Sequence, residues 1–217
     1  MFVTVICAAA SFLTGSIPFG VLAARSRGVD IMSVGSGNTG TTNVWRSLGW
    51  KVGLPVFILD VLKGFAPTLV SANLLGKPEN GLLIGLLAVL GHSFSPWIGF
   101  KGGKGIATGL GVLLAAAPAA AGIAFGVFAI VLAITRYVSL ASMIACVALL
   151  VAGFVQHLSP TFLIAFGAFT LFVFIRHRAN IQRLMAGTEN RIGSKKSGPN
   201  HAAVTLEPDP QPTEPKA

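Results

Sequence analysis

Between Ile106 and Ile134 the chain runs for 29 residues without a charged side chain. At about 1.5 Å of rise per helical residue, that is more than one crossing of a ~30 Å hydrocarbon layer needs. The rest of the chain cannot cover so much apolar surface in water. Only 11% of its 217 residues are charged and 53% are hydrophobic, where an average soluble domain is about 25% charged. Disorder over the body of the chain is excluded on the same ground. The class that remains is an all-α integral membrane protein.

Basic residues set the expected topology. A first span covers about Val3 to Ala24. It lacks a positive n-region and is long for a signal-peptide core, so it reads as an uncleaved helix. Arg25 and Arg27 follow it, which places its C-terminal end in the cytoplasm and the N-terminus outside. A polar loop, Ser26 to Lys51, leads to a second span from about Val52 to Leu75. Residues Gly76 to Asn80 turn outside, and a third span, about Gly81 to Phe100, returns to Lys101 and Lys104. If Ile106–Ile134 crossed once, Arg136, Arg176, Arg178, Arg183 and Arg191 would all fall outside. A hairpin near Pro118 puts them inside. Val138 to Phe154 then leaves, residues 156–160 turn, and Thr161 to Ile175 re-enters. The expected total is seven spans, some short, with the C-terminus in the cytoplasm; five spans with a break near Pro118 is the alternative.

The expected domain organisation is a membrane-embedded body over 1–193 and a cytoplasmic tail over 194–217. Residues 199–217 carry five prolines and no apolar periodicity, as a disordered segment does. The net charge of +9 comes from 16 Lys+Arg against 7 Asp+Glu. In a membrane protein, basic helix ends explain much of this excess, so no nucleic-acid partner is expected. Cys7 and Cys146 sit in apolar stretches and read as packing residues.

Three polar segments fall on the cytoplasmic side of this topology. The first, Val34 to Gly49, holds four glycines, three of them among Ser, Thr and Asn residues before Arg46. Small hydroxyl and amide groups, free backbone N–H groups and one Arg suit an oxyanion; the same composition also suits a flexible loop. The second, Gly99 to Thr108, alternates Lys101 and Lys104 with glycines ahead of a helix, whose N-terminus favours anions. It is not a nucleotide-hydrolysing loop, because Gly105 stands where Ser or Thr must follow the lysine. Its lysines also serve as topology determinants. The third, Arg176 to Glu189, is expected to continue the last span as a helix with His177, Asn180 and Leu184 on one face. It also suits a basic helix resting on anionic lipid.

Asp60 and Lys63, three apart inside the second span, are costly in a membrane and are either functional or a mutual ion pair. His92 late in the third span reads as an interhelical contact. No carboxylate cluster suggests a metal, and no cofactor is expected. Neither His92 nor His177 has an Asp five residues on, so a His-x4-Asp acyltransferase arrangement is absent.

Taken together, the segments resemble the bacterial acyl-phosphate:glycerol-3-phosphate acyltransferase family, often called PlsY, over about residues 10–192. Gly35-Ser36-Gly37-Asn38 with Gly40, Thr42-Asn43 and Arg46 is similar to its first motif. Gly91-His92-Ser93-Phe94 leading to Phe100-Lys101-Gly102-Gly103-Lys104-Gly105 is similar to its second. Arg176-His177, Asn180-Ile181, Arg183-Leu184, Gly187 and Glu189 are similar to its third. Gly15-Ser16-Ile17-Pro18 and Leu59 to Gly64 are smaller matches. Thr41, where the family more often has Ala, and the long tail depart from it.

The resemblance implies transfer of an acyl group from acyl phosphate to the 1-hydroxyl of sn-glycerol 3-phosphate, at the cytoplasmic face of a bacterial inner membrane. It names Ser36, Arg46, Lys104, His177 and Asn180 as catalytic. Lys101, Gly102, Gly103 and Lys104, with Gly105, are expected to hold the glycerol-3-phosphate phosphate. Ser36, Gly37, Asn38, Thr42, Asn43 and Arg46 are expected at the acyl-phosphate head and the developing oxyanion. His177 and Asn180 orient the substrates, and a substrate phosphate oxygen is preferred to His177 as the base. Asp60, Lys63, His92, Gly187 and Glu189 support the site. Membrane lipid and the enzyme that supplies acyl phosphate are the expected partners. The rival reading is a small transporter of an anionic solute.

Overall fold

The computed structural model describes residues 1–193, all organised around helices; the tail expected over 194–217 lies outside the described residues. In chain order the helices are α1 (Phe2–Ser16), α2 (Phe19–Arg25), α3 (Thr41–Leu48), α4 (Trp50–Leu75), α5 (Pro78–Ser93), α6 (Ile106–Ala116), α7 (Pro118–Thr135), α8 (Val138–Val155), α9 (Pro160–Arg176) and α10 (Arg178–Met185). Five runs are long and apolar enough to cross a membrane: Phe2–Arg25, Trp50–Leu75, Pro78–Ile98, Pro118–Thr135 and Val138–Val155. The bent pair α9–α10 makes a sixth, and α6 is a shorter apolar helix of 11 residues.

Side-chain and backbone contacts fix how these helices run. The Ser11 hydroxyl on α1 donates to the Ile84 carbonyl on α5 at 2.8 Å, and Gly15 and Gly91 lie against Ala88 and Phe12. The first two pairs share one offset, and Gly91 also lies against the Ser16 amide further along α1, so contacts advance together and α1 and α5 are parallel. On α4, Thr68 and Ala72 meet Gly85 and Gly81 of α5 in reverse order. Small residues at these crossings let the backbones approach closely, which is how helices associate where no water drives them together.

At one end of the bundle Ser159, before α9, donates to Glu79 in the first turn of α5 at 3.1 Å. At the other end Arg176 reaches the loop before α6, and the Ile192 amide donates to the Arg136 carbonyl after α7 at 2.9 Å. Hence α6 leaves this second end and α7 returns to it. The turn is at Ala117, where φ is −147° and Pro118 opens α7. One apolar cavity confirms the fold-back. Its walls include the pairs Leu113 and Ala121, Leu110 and Ala124, and Ile106 and Phe128, each pair equally far either side of Ala117. Proline at the first helical position, where no N–H is needed, also opens α5 and α9.

The structure corrects four local expectations. The first span is not one helix: it breaks at Ile17–Pro18 between α1 and α2. The polar loop Ser26–Lys51 contains α3, which buries Asn43 and Val44 and leaves Trp45 and Arg46 exposed. The third span ends its α-helix at Ser93 and continues as a short 3₁₀ turn, Pro96–Ile98. The third polar segment does not extend α9 smoothly, because the axis bends by 60° between α9 and α10, at His177.

Candidate active site

All three polar segments come to the end of the bundle where α2, α3, α5, α9 and α10 terminate or begin. They enclose a cavity of about 240 Å³ lined by Ser36 and Asn38 from the first segment, Lys104 from the second, and Asn180 with Arg176, Arg178 and Arg183 from the third. Four of its wall residues carry cationic side chains.

The first segment is shaped by Asn43. Its side-chain oxygen accepts from the Ser36 amide at 2.8 Å, and its nitrogen donates to the Ile31 and Val34 carbonyls at 3.1 and 3.0 Å. With those bonds made and its side chain buried, Asn43 has no donor left for a ligand. Gly35 and Gly37 both have positive φ (63° and 66°), which the tight path around Asn43 requires. The Asn38 side-chain oxygen accepts from the Gly40 amide at 2.9 Å. Arg46 is exposed on α3. Partial burial and then Arg183 hold its guanidinium below the ordinary range, and Glu189 opposes them.

The second segment differs from a phosphate cradle. The Gly102 amide donates to the Ser93 carbonyl and the Gly103 amide to the His92 carbonyl, each at 3.2 Å. These two N–H groups are therefore spent and cannot also bind phosphate in this conformation. The glycines are needed for another reason: a Cβ on Gly102 would lie 2.0 Å from the His92 carbonyl oxygen, and one on Gly103 2.1 Å from His92 Nε2. Lys101 is exposed and is not among the lining residues. Gly105, with φ of 80°, caps the N-terminus of α6.

Lys104 donates to the Asn180 side-chain oxygen. The Asn180 amide nitrogen in turn donates to Glu189 Oε1 at 2.6 Å, so the amide is oriented from both sides. Ser139 donates to the same carboxylate oxygen at 2.7 Å, and Arg183 Nε donates to Oε2 at 2.7 Å. Burial works to raise the Glu189 carboxyl, but the bonds from Asn180, Ser139 and Arg183 hold it below its ordinary value. Lys104 is pushed down to about 8, first by burial, with Glu189 acting against it and Arg183, Arg176 and Arg46 adding to it. His177 is buried and its Nδ1 lies 2.8 Å from the Val173 carbonyl. A carbonyl only accepts, so Nδ1 carries the proton and Nε2 keeps its lone pair. His177 is not among the cavity's lining residues.

Of the residues named from sequence, Ser36, Asn38, Lys104 and Asn180 share the cavity, and Arg46 lies within the field of the same charges. Arg176 and Arg178 also line the cavity; both lie in the third polar segment, but neither was named from sequence as a site residue. Their position directly at the end of the last span was the available signal. Asp60, Lys63 and His92 lie beneath the site: Lys63 Nζ is 2.7 Å from Asp60, and His92 Nδ1 is 3.7 Å from it. Gly187, with φ of 67°, turns the chain after α10 so that Glu189 reaches back to Asn180.

This architecture defines a multi-pass helical membrane protein with a cationic site at one end of its bundle. The glycerol-3-phosphate acyltransferase family model matches residues 5–187, and the chain belongs to that family. The glycerol-3-phosphate acyltransferase of Desulfotalea psychrophila is 45% identical over 183 residues, 82% of this chain and 93% of that protein. That of Sinorhizobium fredii is 44% identical over 193 residues, 88% and 94% of the two chains. The crystal structure of PlsY (YgiH), an integral membrane glycerol 3-phosphate acyltransferase, in its glycerol 3-phosphate form has a TM-score of 0.84 at 42% identity, covering 88% of this chain and 96% of that one. Its lysophosphatidic acid form gives 0.82 at 41%, covering 88% and 95%.

Proposed function

We propose that this protein transfers a fatty acyl group from acyl phosphate to the 1-hydroxyl of sn-glycerol 3-phosphate, giving lysophosphatidic acid and inorganic phosphate. The observation that carries this is the meeting of three separate segments at one cavity walled by Lys104, Arg176, Arg178 and Arg183. Two phosphorylated substrates bring enough negative charge to match that wall. The apolar cavity includes Ile106, two residues beyond Lys104, so an acyl chain can lie among the helices while its phosphate stays at the cationic end.

In this reading Lys104 and Asn180 face glycerol 3-phosphate, and Ser36, Asn38 and Arg46 face the acyl-phosphate head. The glycerol oxygen attacks the acyl carbon, the bond from that carbon to the phosphate oxygen breaks, and the hydroxyl proton passes to a phosphate oxygen. Phosphate is a good leaving group, so positioning and stabilisation of the oxyanion supply most of the rate. His177 Nε2 is available as an acceptor but lies behind the cavity wall. Asn43, Gly102 and Gly103 shape the site rather than bind substrate, and Lys101 serves the charge of the face.

Counting the five long runs, the bent pair α9–α10 and the shorter α6 as one crossing each gives seven spans, with α6 in a thinned or tilted position. Exposed Arg25, Arg27, Lys51, Lys101, Arg136 and Arg178 gather at the site end, which supports a cytoplasmic active site, an outer N-terminus and an inner-membrane location. Residues 1–193 carry the chemistry, and the tail is dispensable for it.

Donor choice tests the proposal. Purified protein supplied with glycerol 3-phosphate and palmitoyl phosphate is expected to turn over, and palmitoyl-CoA or palmitoylated carrier protein is expected to give none. Equal rates with the thioester donors would refute the acyl-phosphate reading.

A further inference from the structure

The Gly102–Gly103 segment is held from both sides. Beneath it lie the His92 ring and the His92 and Ser93 carbonyls, which accept its two amides. Above it, one terminal nitrogen of Arg176 donates to the Gly102 carbonyl at 3.0 Å and the Gly103 carbonyl at 2.9 Å. The Arg176 guanidinium also sits 5.5 Å from the centroid of the Phe94 ring, a cation–π distance. The next residue is Lys104, whose ammonium meets Asn180. Arg176 thus ties the end of α9 to the loop that delivers Lys104 into the cavity.

We propose that Arg176 is a positioning residue for the reaction: by clamping the two glycine carbonyls it presses the loop onto His92 and fixes the point from which Lys104 reaches its ligand. Bonds from a charged donor are about twice as strong as neutral ones, and a flat guanidinium can bond and stack at once. The glycines then follow from the clamp. Any side chain at Gly102 or Gly103 would strike His92 and lift the carbonyls off Arg176.

The kinetic arm of the test rests on the acyl-transfer reading; the exchange arm does not. In hydrogen–deuterium exchange, Arg176→Gln is expected to speed exchange of the peptide covering 99–105 about tenfold, since the carbonyl clamp is lost. Exposed Arg27→Gln, which removes one charge elsewhere on the same face, is expected to leave that peptide unchanged. In steady-state assays kcat/KM for glycerol 3-phosphate should fall about 10- to 100-fold in Arg176→Gln, as for a displaced catalytic group. If Arg176→Gln does not insert, Arg176→Lys retains the cation and is read the same way, with a smaller rise in exchange. Unchanged exchange at 99–105, or faster exchange with turnover within about threefold of the parent, would overturn the proposal. A parent protein with no acyl-transfer activity would instead refute the functional reading, and the exchange result alone would then decide whether Arg176 clamps the loop.

Discussion

Removing either partner of the buried Asp60–Lys63 pair should destabilise the bundle far more than removing both. The pair is 2.7 Å apart, and the two side chains are 2% and 4% exposed. Lys63 also donates to the Ile17 carbonyl at 2.8 Å, at the break between α1 and α2, and Thr41 Oγ1 lies 3.4 Å from Asp60. Asp60→Asn leaves a buried ammonium without its counter-charge; Lys63→Met leaves a buried carboxylate. Each should cost about 3–5 kcal/mol, a large part of the ~5–15 kcal/mol that holds a typical domain. The double variant removes both charges and leaves chiefly the Ile17 carbonyl unsatisfied, a loss of about 1–3 kcal/mol. The double should therefore lie far below the sum of the singles. Unfolding in mixed micelles with increasing SDS, followed by tryptophan fluorescence, reads all four corners of the cycle. Additive losses, or single variants within about 1 kcal/mol of the parent, would refute the reasoning that the charges compensate each other.

Other expectations concern the site and its topology. Arg46→Lys should lose most turnover while still inserting, because a point charge does not reproduce a planar fork on phosphate; parental rates would count against that role. With Lys104 held near 8, kcat/KM for glycerol 3-phosphate should fall as pH rises through that value, since the ammonium is lost and with it the attraction for phosphate. Glu189→Gln should move this limb to lower pH by removing the anion that favours the charged lysine. In a Cys7→Ala, Cys146→Ala background, Lys77→Cys should react with an impermeant thiol reagent in intact cells, and Ala186→Cys only after the inner face is opened. Labelling of Ala186→Cys from outside would break the proposed orientation.

Hydropathy made most of the frame legible. Arg136 and Arg176, read through the positive-inside rule, demanded a turn near Pro118, and the chain folds back at Ala117. The three site segments were legible as clusters of Gly, Asn, Lys and Arg in a chain with few polar residues. What could not be read was the direction of individual donors. The Gly102 and Gly103 amides look free in sequence, yet His92 and Ser93 engage them. Asn43 looks like a ligand and is consumed by Ile31, Val34 and Ser36. Likewise α3 hides in a polar stretch because its buried face is only Asn43 and Val44. Hydropathy averages over such short elements, and tertiary contacts decide them. Glu189 read as a support; its carboxylate joins Asn180, Ser139 and Arg183 only because Gly187 turns the chain back, a contact no local pattern announces.

The central claim is that this cationic cavity joins two phosphorylated substrates and releases one phosphate for each acyl group moved. Purified protein in lipid bilayers, given palmitoyl phosphate and glycerol 3-phosphate, should form lysophosphatidic acid and inorganic phosphate in equal amounts, and Lys104→Ala should raise KM for glycerol 3-phosphate more than for the acyl donor. Glycerol 3-phosphate accumulating unchanged inside vesicles, with no lysophosphatidic acid and no phosphate released, would contradict the account and favour a transporter.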